Sequence, residues 1–103
     1  NDPLIALYNN KEFMRYTFWS QHLILHTAES LQLLCKNAGY QEVSIIFMQR
    51  YPLSNHINWI INGEPGGYKS KFSVLDDDSL SNSYSNSLAK IGLSDTLLAF
   101  CKA

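Results

Sequence analysis

The chain is poor in the features that would place it in several large functional classes. No apolar run approaches the 18 or so residues that cross a bilayer; the longest, Val43 to Met48, is strand-sized and interrupted by Ser44. A one-signed charge excess is also missing. Eight basic against nine acidic residues give a net charge of −1, which excludes the electrostatic footprint of a nucleic-acid or acidic-membrane binder. Two cysteines, Cys35 and Cys101, are too few for a disulfide scaffold, and neither lies in a C-x-x-C pair or beside a histidine at ligand spacing. Each follows apolar neighbours, as in Leu33-Leu34-Cys35 and Ala99-Phe100-Cys101. They therefore read as reduced, buried thiols in a cytoplasmic setting. His22 and His26 have i, i+4 spacing but no third ligand, so no metal site is expected. Gly63-Glu64-Pro65-Gly66-Gly67 lacks the spacing and following lysine of a phosphate loop, and reads as a sharp turn or lid. No Gly-x-Ser-x-Gly or His-Glu-x-x-His motif, repeat or flexible linker is present. The opening Asn1-Asp2-Pro3 carries no initiator methionine or leader pattern and suggests a processed or excised piece.

What is present is enough apolar material for one domain over residues 1–103: 46% hydrophobic and 13% aromatic. Asn9-Asn10 breaks the first segment, and a short helix opens at Asn10. Residues 19–26 read as extended or irregular. Leu31, Leu34, Cys35 and Ala38 repeat at helical spacing, with Thr27 as N-cap, Glu29 in the first turn and Gly39 as the left-handed stop. Val43 to Gln49 is β-branched and aromatic on both faces, the pattern of an interior strand covered from two sides. Ser54 suits the cap of a helix to Asn62, with Ile57, Ile60 and Ile61 facing the core. Asp76-Asp77-Asp78 precedes a stripe of Leu80, Tyr84, Leu88 and Ile91, a further helix with acids at its positive end. Thr96 to Cys101 reads as a second interior strand. Two such strands cannot cover their own faces and edges. The sequence thus calls for additional sheet, from a parent chain or a second copy, and predicts a homodimer or higher assembly.

Candidate chemistry gathers in the middle of the chain. His22 and His56 are the candidate general bases, since imidazole accepts a proton near neutral pH. Gln49-Arg50-Tyr51 falls at the carboxyl end of a strand, where open α/β sheets hold ligands. Arg50 offers a fork for a carboxylate or phosphate. Trp59 shares a helix face with His56 and suits either a pocket wall or the core.

The run His22-Leu23-x-x-His26-Thr27-x-x-Ser30-Leu31-x-x-Leu34-x-x-x-Ala38-Gly39-Tyr40 resembles the H-L-x-x-F-S/T-x-x-S/T-L-x-x-L-L-x-x-A-G-F passage of S-adenosylmethionine-dependent methyltransferases with the Rossmann-like fold. Gln49-Arg50-Tyr51-x-x-Ser54-Asn55-His56-x-x-Trp59 and Pro65-Gly66-Gly67 look like the substrate-side insertion of a subgroup acting on small molecules. Asp95 to Lys102 is similar to its seventh, antiparallel strand. Thr27 stands where serine is usual, and Tyr68 where the subgroup has histidine. The resemblance covers the whole chain but only the carboxyl-terminal part of such an enzyme. It implies an α/β fold, with helices and an antiparallel pair corresponding to strands six and seven of an incomplete sheet. It also implies a small-molecule acceptor bound by Gln49, Arg50, Tyr51, Asn55, Trp59, Gly66 and Gly67, with His22 or His56 removing the acceptor's proton. The acidic-x-Gly-x-Gly loop that holds the S-adenosylmethionine is lacking. The cofactor is therefore expected in the parent enzyme and not in this chain alone, with the enzyme's amino-terminal half as partner. The competing readings are a self-standing α+β interaction module that borrows strands from a neighbour, or a small ligand-binding domain walled by Trp19 and Trp59.

Overall fold

The computed structural model describes residues 2–18 and 24–103. It is a mixed α/β fold: helices α1 (Pro3–Ala6), α2 (Lys11–Thr17) and α3 (Ala28–Asn37), strand β1 (Glu42–Met48), α4 (Leu53–Asn62), 3₁₀ turns at Gly67–Lys69 and Lys71–Leu75, α5 (Asp78–Lys90), and strand β2 (Thr96–Lys102). Side-chain caps set most helix starts. Asn10 Oδ1 accepts the Phe13 amide at 2.8 Å to open α2, and its Nδ2 donates to the Trp59 carbonyl at 2.9 Å, tying α2 to α4. Thr27 and Ser30 exchange side-chain and backbone hydrogen bonds, a capping box for α3. Gly39, at φ 105°, follows its end. Asp77 caps α5. Ser54 is no cap: α4 begins one residue earlier, and Ser54, fully buried in its first turn, donates through Oγ to Asp76 Oδ2 at 2.7 Å. Asp76, the first of the three aspartates, is thereby drawn away from the α5 terminus.

β1 and β2 pair antiparallel, from Glu42 with Lys102 to Met48 with Thr96. Strand alternation puts Val43, Ile45 and Phe47 on one face with Cys101, Ala99 and Leu97. α3 packs there, and Gly92, just after α5, lies against the Phe47 ring. The opposite face carries Ile46, Met48, Leu98 and Phe100, all exposed, Phe100 by 58%. The expectation of two interior strands covered on both sides is therefore corrected. Among the described residues each strand has a single neighbour, and the elements packed on the sheet lie on one side of it.

The helix α4 corrects a second expectation. Ile60 and Ile61 are exposed and Ile57 half-buried, while Ser54, Asn55, His56, Asn58 and Trp59 are buried. The polar side goes inward because its groups find partners there. Asn58 Nδ2 donates to the carbonyls of Glu64 and Pro65 at 2.8 and 3.1 Å, which folds the Pro65-Gly66-Gly67 loop against the helix. Buried amides so satisfied avoid the 1–3 kcal/mol or so that an unpaired one costs. Among the described residues, the fully buried large apolar side chains are only Leu4, Trp59 and Leu88. The accessible surface, 6806 Å², exceeds the roughly 5900 Å² usual for a monomer of this mass. The radius of gyration, 15.0 Å, exceeds the roughly 13 Å usual for this length.

Candidate functional site

A cleft of about 990 Å³ opens between α1, α2, the segment leading into α3, the inner side of α4 and the ends of the two strands. Antiparallel pairing of Met48 with Thr96 brings the residues just beyond β1 opposite the residue just before β2. There the Asp95 carboxylate organises the strand exit. Its Oδ1 accepts from the Arg50 amide (2.8 Å) and Thr96 Oγ1 (3.0 Å), and its Oδ2 from the Tyr51 amide (2.8 Å) and Gln49 Nε2 (2.8 Å). This clamp fixes the backbone of Arg50 and Tyr51, whose side chains line the cleft with the guanidinium 5.7 Å from the Tyr51 ring centroid. Trp59 forms an inner wall, meeting Phe13 edge-on at 5.2 Å and Tyr16 at 5.0 Å.

Beside the cleft runs a hydrogen-bonded chain of side chains. Gln49 Oε1 accepts the Asp95 amide, so its Nε2, whose two hydrogens are shared among the Tyr51 carbonyl, the Asp95 carboxylate and His56, faces His56 Nε2 at 3.2 Å. Two donors cannot face one another. We therefore assign the His56 proton to Nδ1, which donates to the Tyr84 hydroxyl at 2.5 Å; that hydroxyl in turn meets Tyr8 at 2.7 Å. His56 is 1% exposed. Burial pushes its imidazole from the ordinary 6.5 down to about 4, against a smaller upward pull from Asp95, so it is neutral at pH 7. Burial, helped by the Tyr8 hydrogen bond, holds Tyr84 well above the ordinary phenol value. Asp2, on the cleft wall, accepts the Leu4 amide at 2.8 Å; burial pushes its carboxyl up to about 6, with Asp95 adding in the same direction.

The residues singled out from sequence divide as follows. Arg50, Tyr51, Asn55, His56, Trp59 and Gly66 converge on the cleft. Gln49 stands behind the wall, bonded to His56. Gly67 packs beneath α4, where a Cβ would stand 2.1 Å from the Ser54 carbonyl oxygen. His22 and Trp19 lie outside the described residues. His26 lines the mouth with Nδ1 3.0 Å from Ser30 Oγ. Sequence reasoning missed Asp2, Tyr8, Tyr84 and Asp95 as members of the site. For Asp95 a signal existed: two antiparallel strands so read must set the residue before the second opposite the residue after the first.

Among the described residues, no group of three or more His, Cys, Asp or Glu is placed to hold a metal ion, and no helix is long and apolar enough to cross a membrane. The two cleft carboxylates differ in capacity: both Asp95 oxygens already take two donors each, whereas Asp2 accepts the Leu4 amide on Oδ1 and keeps acceptor positions open toward the cleft. Comparison with protein-family models, with curated proteins and with solved structures finds no match to this chain.

Proposed function

We propose that the chain forms the acceptor side of an S-adenosylmethionine-dependent methyltransferase acting on a small molecule, within a Rossmann-like fold whose sheet extends beyond β1 and β2. The observation that carries this reading is the convergence of Arg50, Tyr51, Asn55, His56, Trp59 and Gly66, separate pieces of the resemblance, on one cleft at the carboxyl end of β1. A cleft of this size suits a small organic ligand. The second part of the proposal is supported by the open outer edges of β1 and β2, which pair with further strands when a sheet extends, and by the uncovered apolar face, which is stable when further structure packs on it.

In such an enzyme the donor supplies an electrophilic methyl group, and none of this chain's residues is assigned to holding it. The chain's own groups bind and orient the acceptor. Arg50 and Asn55 offer donors to its polar atoms, and Trp59 and Tyr51 confine its apolar body. His56, its Nδ1 proton directed at Tyr84, takes a further proton only at Nε2, by breaking the Gln49 contact. Its task is therefore to hold Tyr84 and Gln49 in place. Asp2, with its carboxyl near 6, is tuned to accept the acceptor's proton close to neutral pH.

The test is methyl transfer from radiolabelled S-adenosylmethionine to a panel of small hydroxy and amino compounds, by the full-length protein that carries this chain. Asp2→Asn keeps the α1 cap and is expected to lower kcat by about 100-fold or more, the usual worth of a general base. Full activity in that variant removes Asp2 from the mechanism. No transfer and no calorimetric binding of S-adenosylmethionine by the full-length protein overturns the methyltransferase reading in favour of a stand-alone interaction or ligand-binding module.

A further inference from the structure

The two cysteines read from sequence as reduced, buried thiols, but the fold sets them on one interface, half-buried. The register that pairs Cys101 with Val43 puts the Cys101 side chain on the sheet face that α3 covers. There it faces α3, whose second half carries Cys35, likewise half-buried and close enough to influence the Cys101 thiol. Both residues are half-buried and within reach of solutes. Two thiols on different elements, facing one interface and open to solvent, are arranged for reversible oxidation.

We infer that Cys35 and Cys101 form a redox-sensitive dithiol that closes to an intramolecular disulfide in the presence of a disulfide oxidant such as oxidised glutathione. One protein thiolate attacks a sulfur of the oxidant, whose S–S bond breaks to release one glutathione thiolate. The second cysteine then attacks the mixed disulfide and expels the other glutathione. Two protein thiols are oxidised, one glutathione disulfide is reduced to two thiols, and the two protons lost by the cysteines end on the two glutathione sulfurs by way of solvent. Partial burial and the neighbouring Cys35 hold the Cys101 thiol above its ordinary value, so the thiolate is scarce at neutral pH and closure accelerates as pH rises. The bridge joins the two elements that supply Leu31 and Leu97 to the cleft wall, so oxidation state reaches the cleft through its frame.

The experiment incubates the 103-residue chain with oxidised glutathione, quenches with an alkylating agent, and reads intact mass and joined peptides. The expected product has lost about 2 Da, is closed to alkylation, and yields a peptide linking Cys35 to Cys101. It forms at least about 10-fold more favourably in the native chain than in concentrated urea, because the fold holds the thiols together. Cys35→Ser instead retains glutathione on Cys101. Persistent glutathione adducts on both cysteines, bridging only between two chains, or equal bridging in urea would each overturn the inference. The wild-type comparison stands even if the variant fails to fold.

Discussion

Exchanging His56 for asparagine and following unfolding by urea at closely spaced pH values tests the electrostatics of the buried network. At pH 7 the imidazole is neutral in the folded and the unfolded chain. The variant then loses only the hydrogen bonds and packing, about 1–3 kcal/mol. As pH falls below 6.5, the unfolded chain's histidine takes a proton, whereas the folded chain's does not until about 4. Stability of the wild type therefore falls with pH across this window and levels off below it. At about 1.4 kcal/mol per pH unit, the loss totals about 3 kcal/mol. The variant carries no such group at position 56. The wild-type advantage should accordingly shrink between pH 7 and pH 4, to near zero or below. Taking the difference between the two curves removes the other titrations. Asp2 among them acts oppositely, since the stability from its raised value is present below 3.8 and lost as pH rises through about 6. A difference curve flat from pH 7 to 4 would refute the argument, because it would mean that the folded chain protonates His56 as readily as the unfolded one.

Gly67→Ala places a methyl group 2.1 Å from the Ser54 carbonyl oxygen and 2.6 Å from the Asn55 Cα. It should cost about 3 kcal/mol or more by chemical denaturation, since backbone has to part. Gly66→Ala, in open space at φ 87°, should cost only about 1–2 kcal/mol; equal costs would contradict the packing described. Asp95→Ala removes four accepted hydrogen bonds and should lower stability by about 3 kcal/mol, with Arg50 and Tyr51 amides losing protection in hydrogen exchange. Unchanged protection there would show that the strand exit is held by something else.

Much of the element order was legible because its signals are local. Thr27, Ser30 and Gly39 mark the ends of α3 by chemistry that acts within a turn, a β-branched and aromatic run marks β1, and an apolar run marks β2. Burial was less legible. The isoleucines of α4 advertise a core face, yet Asn58 and Ser54 turn inward toward the Glu64 carbonyl and the Asp76 carboxylate, acceptors on loops whose positions no helical period encodes. Site membership behaved likewise. Arg50, Asn55, His56 and Trp59 stand close in sequence and could be gathered from spacing alone. Asp2, Tyr8 and Tyr84 reach the same place only through packing of α1 and α5, and the phenol-to-imidazole chain exists only once those helices are set.

The sheet face bearing Ile46, Met48, Leu98 and Phe100 has a thermal consequence. Surface already in contact with water contributes nothing to the hydration change on melting, so the heat-capacity increment should fall below the 1.2–1.5 kcal/mol/K or so usual for a chain of this length. A smaller increment broadens the curve of free energy against temperature. The chain by itself should thus show a shallow stability maximum, with cooling eroding it less than in a fully packed domain of equal size.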